Sequence, residues 1–263
     1  MIDLHCHLLP GIDDGATDLE MSLAMARMSV EDGVRVAACT PHIYPGMYEN
    51  DGPGIRAAIV ALQAELDREG IALRLVEGAD VHLDHDLVGG IRSGRIPTIA
   101  GSRYLLLEPP HHVAPPRFAE SMFTLMAAGY VPVVTHPERL RWVEDHYEIF
   151  VEAAQRGAFM QITAGALTGR FGKRPQYWAE RFIGEGHAHI LATDAHHPRR
   201  RPPLLAEARH AAEALVGAEE ATHMVVTRPE GIVGDLPAGK LPPVPAPVRR
   251  KSTGFWQRLL RTA

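Results

Sequence analysis

The sequence predicts an α/β fold in which about seven parallel strand–helix units follow one another and close into a barrel. Compact apolar runs of strand length, stripes of apolar residues at helical spacing between them, and short Gly- and Pro-rich connections carry that expectation. A chain of 263 residues suits a single barrel of this size.

The opening strand ends in His5-Cys6-His7 and runs into the loop Leu8-Leu9-Pro10-Gly11-Ile12-Asp13-Asp14-Gly15. Thr17-Asp18-Leu19-Glu20 has capping-box form, and Leu19, Leu23, Ala26 and Val30 recur at helical spacing until Gly33 ends the run. The apolar run 34–40 reads as a buried parallel strand delivering Thr40-Pro41-His42. Ile55, Ile59, Leu62 and Leu66 form the next helical stripe, closed by Gly70. Strand 71–76 leads to Glu77-Gly78-Ala79-Asp80, and strand 104–107 leads to Glu108-Pro109-Pro110. Phe118, Met122 and Leu125 mark a helix ending at Gly129, and strand 130–135 delivers His136-Pro137-Glu138-Arg139. A helix over 144–156 precedes strand 158–163, and one over 176–184 precedes strand 187–192, which ends in Thr193-Asp194-Ala195-His196. The stretch 204–216 reads as the final amphipathic helix.

From residue 237 the composition turns Pro-rich, a stiff linker without core-forming periodicity. Arg249, Arg250 and Lys251 then precede Phe255, Trp256, Leu259 and Leu260, interleaved with Arg258 and Arg261. The expected organisation is thus one folded domain over 1–236 and a linker with a basic amphipathic tail over 237–263. Such a tail offers peripheral contact with a partner or with anionic lipid, against the plainer reading of a solvated basic end.

Composition excludes several classes. With 46 % apolar and 22 % charged residues the chain is not disordered, and a net charge of -5 argues against a nucleic-acid binder. Cys6 and Cys39 have neither metal-type spacing nor the density of a disulfide scaffold, so a reduced, cytoplasmic protein is expected. No stretch of about 18 apolar residues and no signal-peptide pattern occurs, and the expectation is a soluble protein.

The functional signal is where metal-binding residue types fall. Side chains two apart on a strand share a face, so His5 and His7 can reach one ion while Cys6 faces the opposite side. Asp14 lies in a loop that can turn back toward them. His5, His7, His42, Asp80, Glu108, His136, Asp194 and His196 all lie at or just past the carboxyl ends of predicted strands. In parallel barrels that rim is where active sites assemble, and core packing does not account for the whole set.

The segments His5-Cys6-His7-Leu8-Leu9-Pro10-Gly11-Ile12-Asp13-Asp14-Gly15-Ala16, Thr40-Pro41-His42, Leu106-Leu107-Glu108, Thr135-His136-Pro137-Glu138-Arg139 and Thr193-Asp194-Ala195-His196 resemble the polymerase-and-histidinol-phosphatase (PHP) superfamily. Within it they are most similar to the bacterial manganese-dependent protein-tyrosine phosphatases of capsule and exopolysaccharide systems. The resemblance implies a distorted (β/α)7 TIM-like barrel, the PHP fold, with three divalent metal ions, Mn²⁺ by family expectation and Fe²⁺ or Zn²⁺ by ligand chemistry. It implies His5, His7, Asp80 and Asp194 around one ion, Asp80, Glu108 and His136 around a second, and Asp14, His42 and His196 around a third. Asp80 departs from the Glu usual at that bridging position. Glu77 lies an odd number of residues away and would point to the other face. Arg139 and Arg201 match arginines that the family uses for phosphate. Two close divalent ions can generate a hydroxide nucleophile for in-line displacement at phosphorus. The implied substrate is a phosphotyrosine protein, namely a bacterial tyrosine kinase controlling polysaccharide export.

Competing readings have less support. Neither cysteine begins a Cys-x5-Arg loop, and neither a P-loop nor a Gly-x-Ser-x-Gly or His-Glu-x-x-His motif occurs. A PHP phosphoesterase acting on a small metabolite, of the histidinol-phosphatase kind, would share the metals. C–N hydrolysis would call for a lysine among the strand-end ligands. A metal-stabilised regulatory module without turnover is kept alive by Asp80. His111 and His112 read as loop residues without a ligand role, and His82, His85, His146, His187, His189, His197, His210 and His223 as structural or surface. Tyr44 and Tyr48 read as ordinary loop residues.

Overall fold

The computed structural model describes residues 1–83 and 86–245; His85 and the basic tail lie outside the described residues. The alternation expected from the sequence is present: β1 (Ile2–Cys6), α1 (Leu19–Glu31), β2 (Val36–Cys39), β3 (His42–Ile43), α2 (Gly52–Arg68), β4 (Arg74–Glu77), β5 (Asp80–His82) and α3 (Leu87–Arg92). They are followed by β6 (Tyr104–Glu108), α4 (Phe118–Ala127), β7 (Val131–Thr135), α5 (Val143–Gln155), β8 (Phe159–Thr163), α6 (Ala164–Leu167), α7 (Lys173–Gly184), β9 (Ile190–Ala192) and α8 (Ala206–Val216). Asp18 rather than Thr17 caps α1, accepting from the Met21 N–H at 2.9 Å, because its extended backbone aims the carboxylate at the first turn.

All strand pairs are parallel, yet the expected single closed sheet is two sheets, β1-β2-β4 and β3-β5-β6-β7-β8-β9. They separate where Thr40-Pro41 divides β2 from β3 and Gly78-Ala79 divides β4 from β5. Pro41 has no N–H to give the ladder. A side chain at Gly78 would come within 2.9 Å of Thr40 Cγ2, so the two breaks lie against each other. At the other seam Asp194 N–H donates to His5 O (2.7 Å) and His7 N–H to Ala195 O (2.9 Å), joining the end of β9 to β1. The last strand is shorter than expected because His187 and Ala188 donate to Phe182 O and close α7 instead.

The two-residue period of the strands sorts the molecule radially. Leu105, Leu107, Val134, Met160, Ile162 and Leu191 face the helices in the larger apolar cluster. Tyr104, Leu106, Val133, Phe159 and Ile190 form an inner cluster with Leu4 and Ala38. Continuing the inward positions toward the carboxyl ends gives Glu108 after Leu106, Gln161 and Thr163 after Phe159, and Asp80 at the start of β5. The interior is therefore apolar at one end and polar at the other. The apolar end is plugged by Ile232 and Leu241.

That plug corrects the sequence reading, in which residues 204–216 formed the last helix. Gly217, with φ of 88°, breaks α8, and α9 (Ala218–Thr222), a π turn over His223–Thr227 and α10 (Arg228–Val233) follow. Each piece is too short to show a helical stripe, and the polar-looking Arg228 is buried. Leu241, in the Pro-rich stretch, is buried beside them.

Candidate metal centre

The polar end of the interior collects the side chains singled out from the sequence. His5, His7, Asp80, Glu108, His136, Asp194 and His196 are buried there, His42 is nearly so, and Asp14 is about half exposed at the rim. Cys6 points away into the apolar cluster, its Sγ 3.2 Å from Ala38 O. Glu77 also points away and pairs with Arg56 at 3.1 Å, leaving Asp80 as the carboxylate on the site side.

His5 Nε2 lies 3.2 Å from His7 Nε2, 3.4 Å from Asp80 Oδ2 and 3.4 Å from Asp194 Oδ1. His42 Nδ1 lies 3.3 Å from Glu108 Oε2 and 3.6 Å from Asp80 Oδ2. His136 Nε2 is 3.6 Å from Glu108 Oε1 and 3.9 Å from Asp80 Oδ2. Asp14 Oδ1 is 3.4 Å from His42 Nε2 and 3.3 Å from His196 Nε2. These separations are mostly long for hydrogen bonds. They match the roughly 3–3.5 Å between neighbouring donors of a shell with bonds of about 2.1 Å.

Four groups of donor atoms are each mutually within 4.8 Å: His5, His7 and Asp80; His42, Asp80 and Glu108; His7, Asp14, His42 and His196; and Glu108, His111 and His136. Asp80 belongs to two of them. Both its oxygens are buried without a hydrogen-bond partner, as are His42 Nδ1 and His196 Nε2. A buried carboxylate left this way is costly unless a cation meets it, so the donor set fits divalent ions.

The charges agree. Burial opposes ionisation of both Asp80 and Asp194, and the Glu108 charge opposes it further at Asp80, yet both are held below the usual carboxylate range, Asp80 chiefly by His5 and Asp194 by Arg201, then His5 and Arg139. His136 and His196 are each pushed down to about 4, chiefly by burial, with Arg139 and His7 respectively adding to it, so their imidazoles are neutral and have lone pairs to offer. Burial works against protonating His5, but Asp194 and Asp80 carry it up to about 9, a measure of how much negative potential the pocket focuses.

Supporting groups fix the donors. His7 Nδ1 is 2.7 Å from Asp13 Oδ2 and His5 Nδ1 is 2.9 Å from Gln161 Oε1, which directs both Nε2 atoms inward. Asp194 and His136 adopt left-handed backbone, φ 51° and 35°, costing a non-glycine residue about 1–3 kcal/mol each and turning both side chains into the pocket. Glu138 Oε1 accepts from the Thr163 N–H at 2.9 Å and ties the turn that carries His136 and Arg139 to β8. Arg139 and Arg201 both donate to Asp194 Oδ2, which leaves Oδ1 to the histidines. Arg199 and Arg200 are exposed, which separates Arg201 from the charge run around it.

All nine anticipated metal-ligand residues and both arginines thus converge. The sequence reading missed Asp13, Gln161 and His111. From the sequence His111 reads as a loop residue, although it stands only three positions after Glu108. The Asp-Asp pair in the first loop was the available signal for Asp13.

A parallel α/β molecule whose strand ends gather imidazoles, carboxylates and two arginines belongs to the class of metal-dependent hydrolases built on barrel-like folds. The family described as Capsular polysaccharide synthesis, CpsB/CapC, matches residues 1–234. The chain is 34 % identical over 258 residues to the tyrosine-protein phosphatase YwqE of Bacillus subtilis, covering 97 % of this chain and all of that protein. It is 27 % identical to the tyrosine-protein phosphatase CpsB of Streptococcus agalactiae, covering 89 % of this chain and 98 % of that one. In structure it matches, with a TM-score of 0.88 and 31 % identity over 95 % of this chain and 100 % of the other, a chain from the crystal structures of YwqE from Bacillus subtilis and CpsB from Streptococcus pneumoniae, described as unique metal-dependent tyrosine phosphatases. Dihydropyrimidinase from Brevibacillus agri, at 11 % identity and a TM-score of 0.54 over 94 % of this chain and 73 % of that one, shares the fold alone. The protein belongs to the CpsB/CapC family of capsular polysaccharide synthesis.

Proposed function

We propose that the chain is a metal-dependent protein-tyrosine phosphatase, with His5, His7, Asp14, His42, Asp80, Glu108, His136, Asp194 and His196 holding three divalent ions, Mn²⁺ by preference. Bound ions of this kind supply a hydroxide nucleophile at neutral pH and neutralise charge on the phosphoryl oxygens. The chain's own part is to hold them and to present the phosphate. Arg139 and Arg201 converge on one carboxylate oxygen of Asp194 at the pocket, and a phosphoryl group entering there meets two guanidinium groups that delocalise its charge and fix its orientation. Asp80, Glu108 and His136 are themselves buried from bulk water.

The observation that carries the reading is the buried Asp80 carboxylate with both oxygens unpartnered among His5, His42 and His136. The relatives named as tyrosine-protein phosphatases supply the substrate class. A bacterial tyrosine kinase of the capsule system is the proposed physiological substrate. The proposed location is the cytoplasm, in keeping with two buried free cysteines; among the described residues no helix is long and apolar enough to cross a membrane.

Turnover of a phosphotyrosyl peptide in Mn²⁺, abolished by a chelator and restored by Mn²⁺, is the expected result. His136→Ala should lower kcat/KM by about 10²-fold or more, since it removes a buried imidazole donor from the centre. Absence of turnover from protein with Mn²⁺ bound would instead leave a regulatory module, and turnover in chelator would end the metal reading.

A further inference from the structure

We propose that His111 is a tenth donor of the metal centre, completing the shell of the ion held by Glu108 and His136; this rests on the metal-dependent reading above. His111 Nε2 lies 3.3 Å from Glu108 Oε1, closer than His136 Nε2 at 3.6 Å. The rings of His111 and His136 stand with centroids 4.8 Å apart, tilted by 39°, so that both flank the same carboxylate. One nitrogen of each and one oxygen of Glu108 fall mutually within 4.8 Å.

The loop that carries His111 is pinned rather than free. Arg141 N–H donates to His111 O at 3.0 Å, and Trp142 Nε1–H donates to Pro110 O at 2.8 Å. Pro109 and Pro110 stiffen the three-residue step from Glu108. The side chain is 31 % exposed, at the mouth of the pocket, where Asp14 is the other member open to solvent.

The need for a further donor follows from how the carboxylates are shared. Asp80 stands closer to His5 (3.4 Å) and His42 (3.6 Å) than to His136 (3.9 Å). An ion held by Glu108 and His136 would therefore have the least from Asp80, whose side chain is short for that reach. With three donors, one of them remote, that position would be the weakest of the centre. A second imidazole from the loop would restore it.

The test is Mn²⁺ binding by equilibrium dialysis against the full chain without substrate, comparing wild type, His111→Ala, His111→Gln and, as a control on the same loop, the exposed His112→Ala. Removing a donor should raise the dissociation constant of one Mn²⁺ by about tenfold or more in both His111 variants. The remaining ions, the melting temperature of the metal-free protein and the His112 variant should stay as in wild type. Should His111→Ala perturb the fold, the glutamine variant gives the reading. Unchanged Mn²⁺ binding in the His111 variants would overturn the assignment, even if turnover fell, because His111 would then touch substrate and not metal. Wild-type protein that binds no Mn²⁺ would overturn the metal-dependent reading itself, and the assignment with it.

Discussion

His189 illustrates how a single side chain couples burial to pH. Its ring stacks on Phe159 at 4.2 Å, and its Nδ1 accepts a hydrogen bond from the Met160 N–H at 3.1 Å, which requires the neutral form. Burial, reinforced by the Arg228 guanidinium, pushes its pKa down to about 3 from 6.5. The unfolded chain thus takes up a proton below about pH 6.5 that the native protein refuses. Stability from this group is complete above pH 6.5 and is lost progressively as pH falls toward 3. At about 1.4 kcal/mol per unit, the loss by pH 4 is about 3 kcal/mol. His189→Asn keeps an acceptor for Met160 without a titrating ring. Urea unfolding at pH 7 and pH 4 should show the variant gaining on wild type by about that amount as the pH drops. A difference that stays constant with pH would mean that His189 is not held neutral.

At the scale of elements, the loop from Gly11 to Ala16 decides whether the first strand's histidines face a complete site. Its backbone folds back on β1, with Ala16 N–H donating to His7 O at 3.1 Å, and only a residue without Cβ fits at position 15. A methyl there would sit 2.4 Å from both His7 Cβ and His7 O. Gly15→Ala is therefore expected to lift the loop, displace Asp13 and Asp14, and cost about 1–3 kcal/mol in urea unfolding. The Mn²⁺ concentration needed for half-maximal phosphotyrosyl-peptide turnover should rise with it. Gly184→Ala, in α7 with no atom within 4 Å of the new methyl, should be neutral or slightly stabilising. The order of elements was legible in the sequence because parallel strands buried on both faces leave apolar runs, and amphipathic helices leave stripes. The strand-end residues that converge on the pocket were legible for a related reason: nothing in a core calls for His or Asp at those positions. Glu77 and Asp80 could be assigned to opposite faces from the two-residue period alone. The breaks at Pro41 and Gly78 were not legible, because each looks like the end of one strand until its neighbour is known. Nor was the position of His111 beside Glu108 legible, since a loop residue has no period to reveal it.

Across the whole molecule, the Ile232 and Leu241 plug at the end opposite the candidate site is held in place by one buried guanidinium. Arg228 Nε–H donates to Pro242 O (2.8 Å), Nη1 to His189 O (3.0 Å) and Glu220 Oε1 (2.6 Å), and Nη2 to Glu220 Oε2 (2.8 Å) and Pro243 O (2.9 Å). Five acceptors meet the five N–H groups of arginine, and lysine could satisfy at most three of them. The clamp joins the residue that leads into β9, helix α9, and the segment that brings Leu241 against Ile232. Arg228→Met should therefore destabilise the protein by about 3–5 kcal/mol, because Glu220 is left buried without its partner. Adding Glu220→Leu removes the stranded charge and should recover part of the loss, though the three carbonyls remain without donors. Because Asp194 lies at the far end of β9, kcat for a phosphotyrosyl peptide, measured well below the unfolding temperature, should remain within about twofold of wild type in both variants. A large fall in kcat with stability intact would show that the closed end of the barrel reaches the ligands at the other end. A fall in stability alone would show that the sequence divides its labour along the barrel axis.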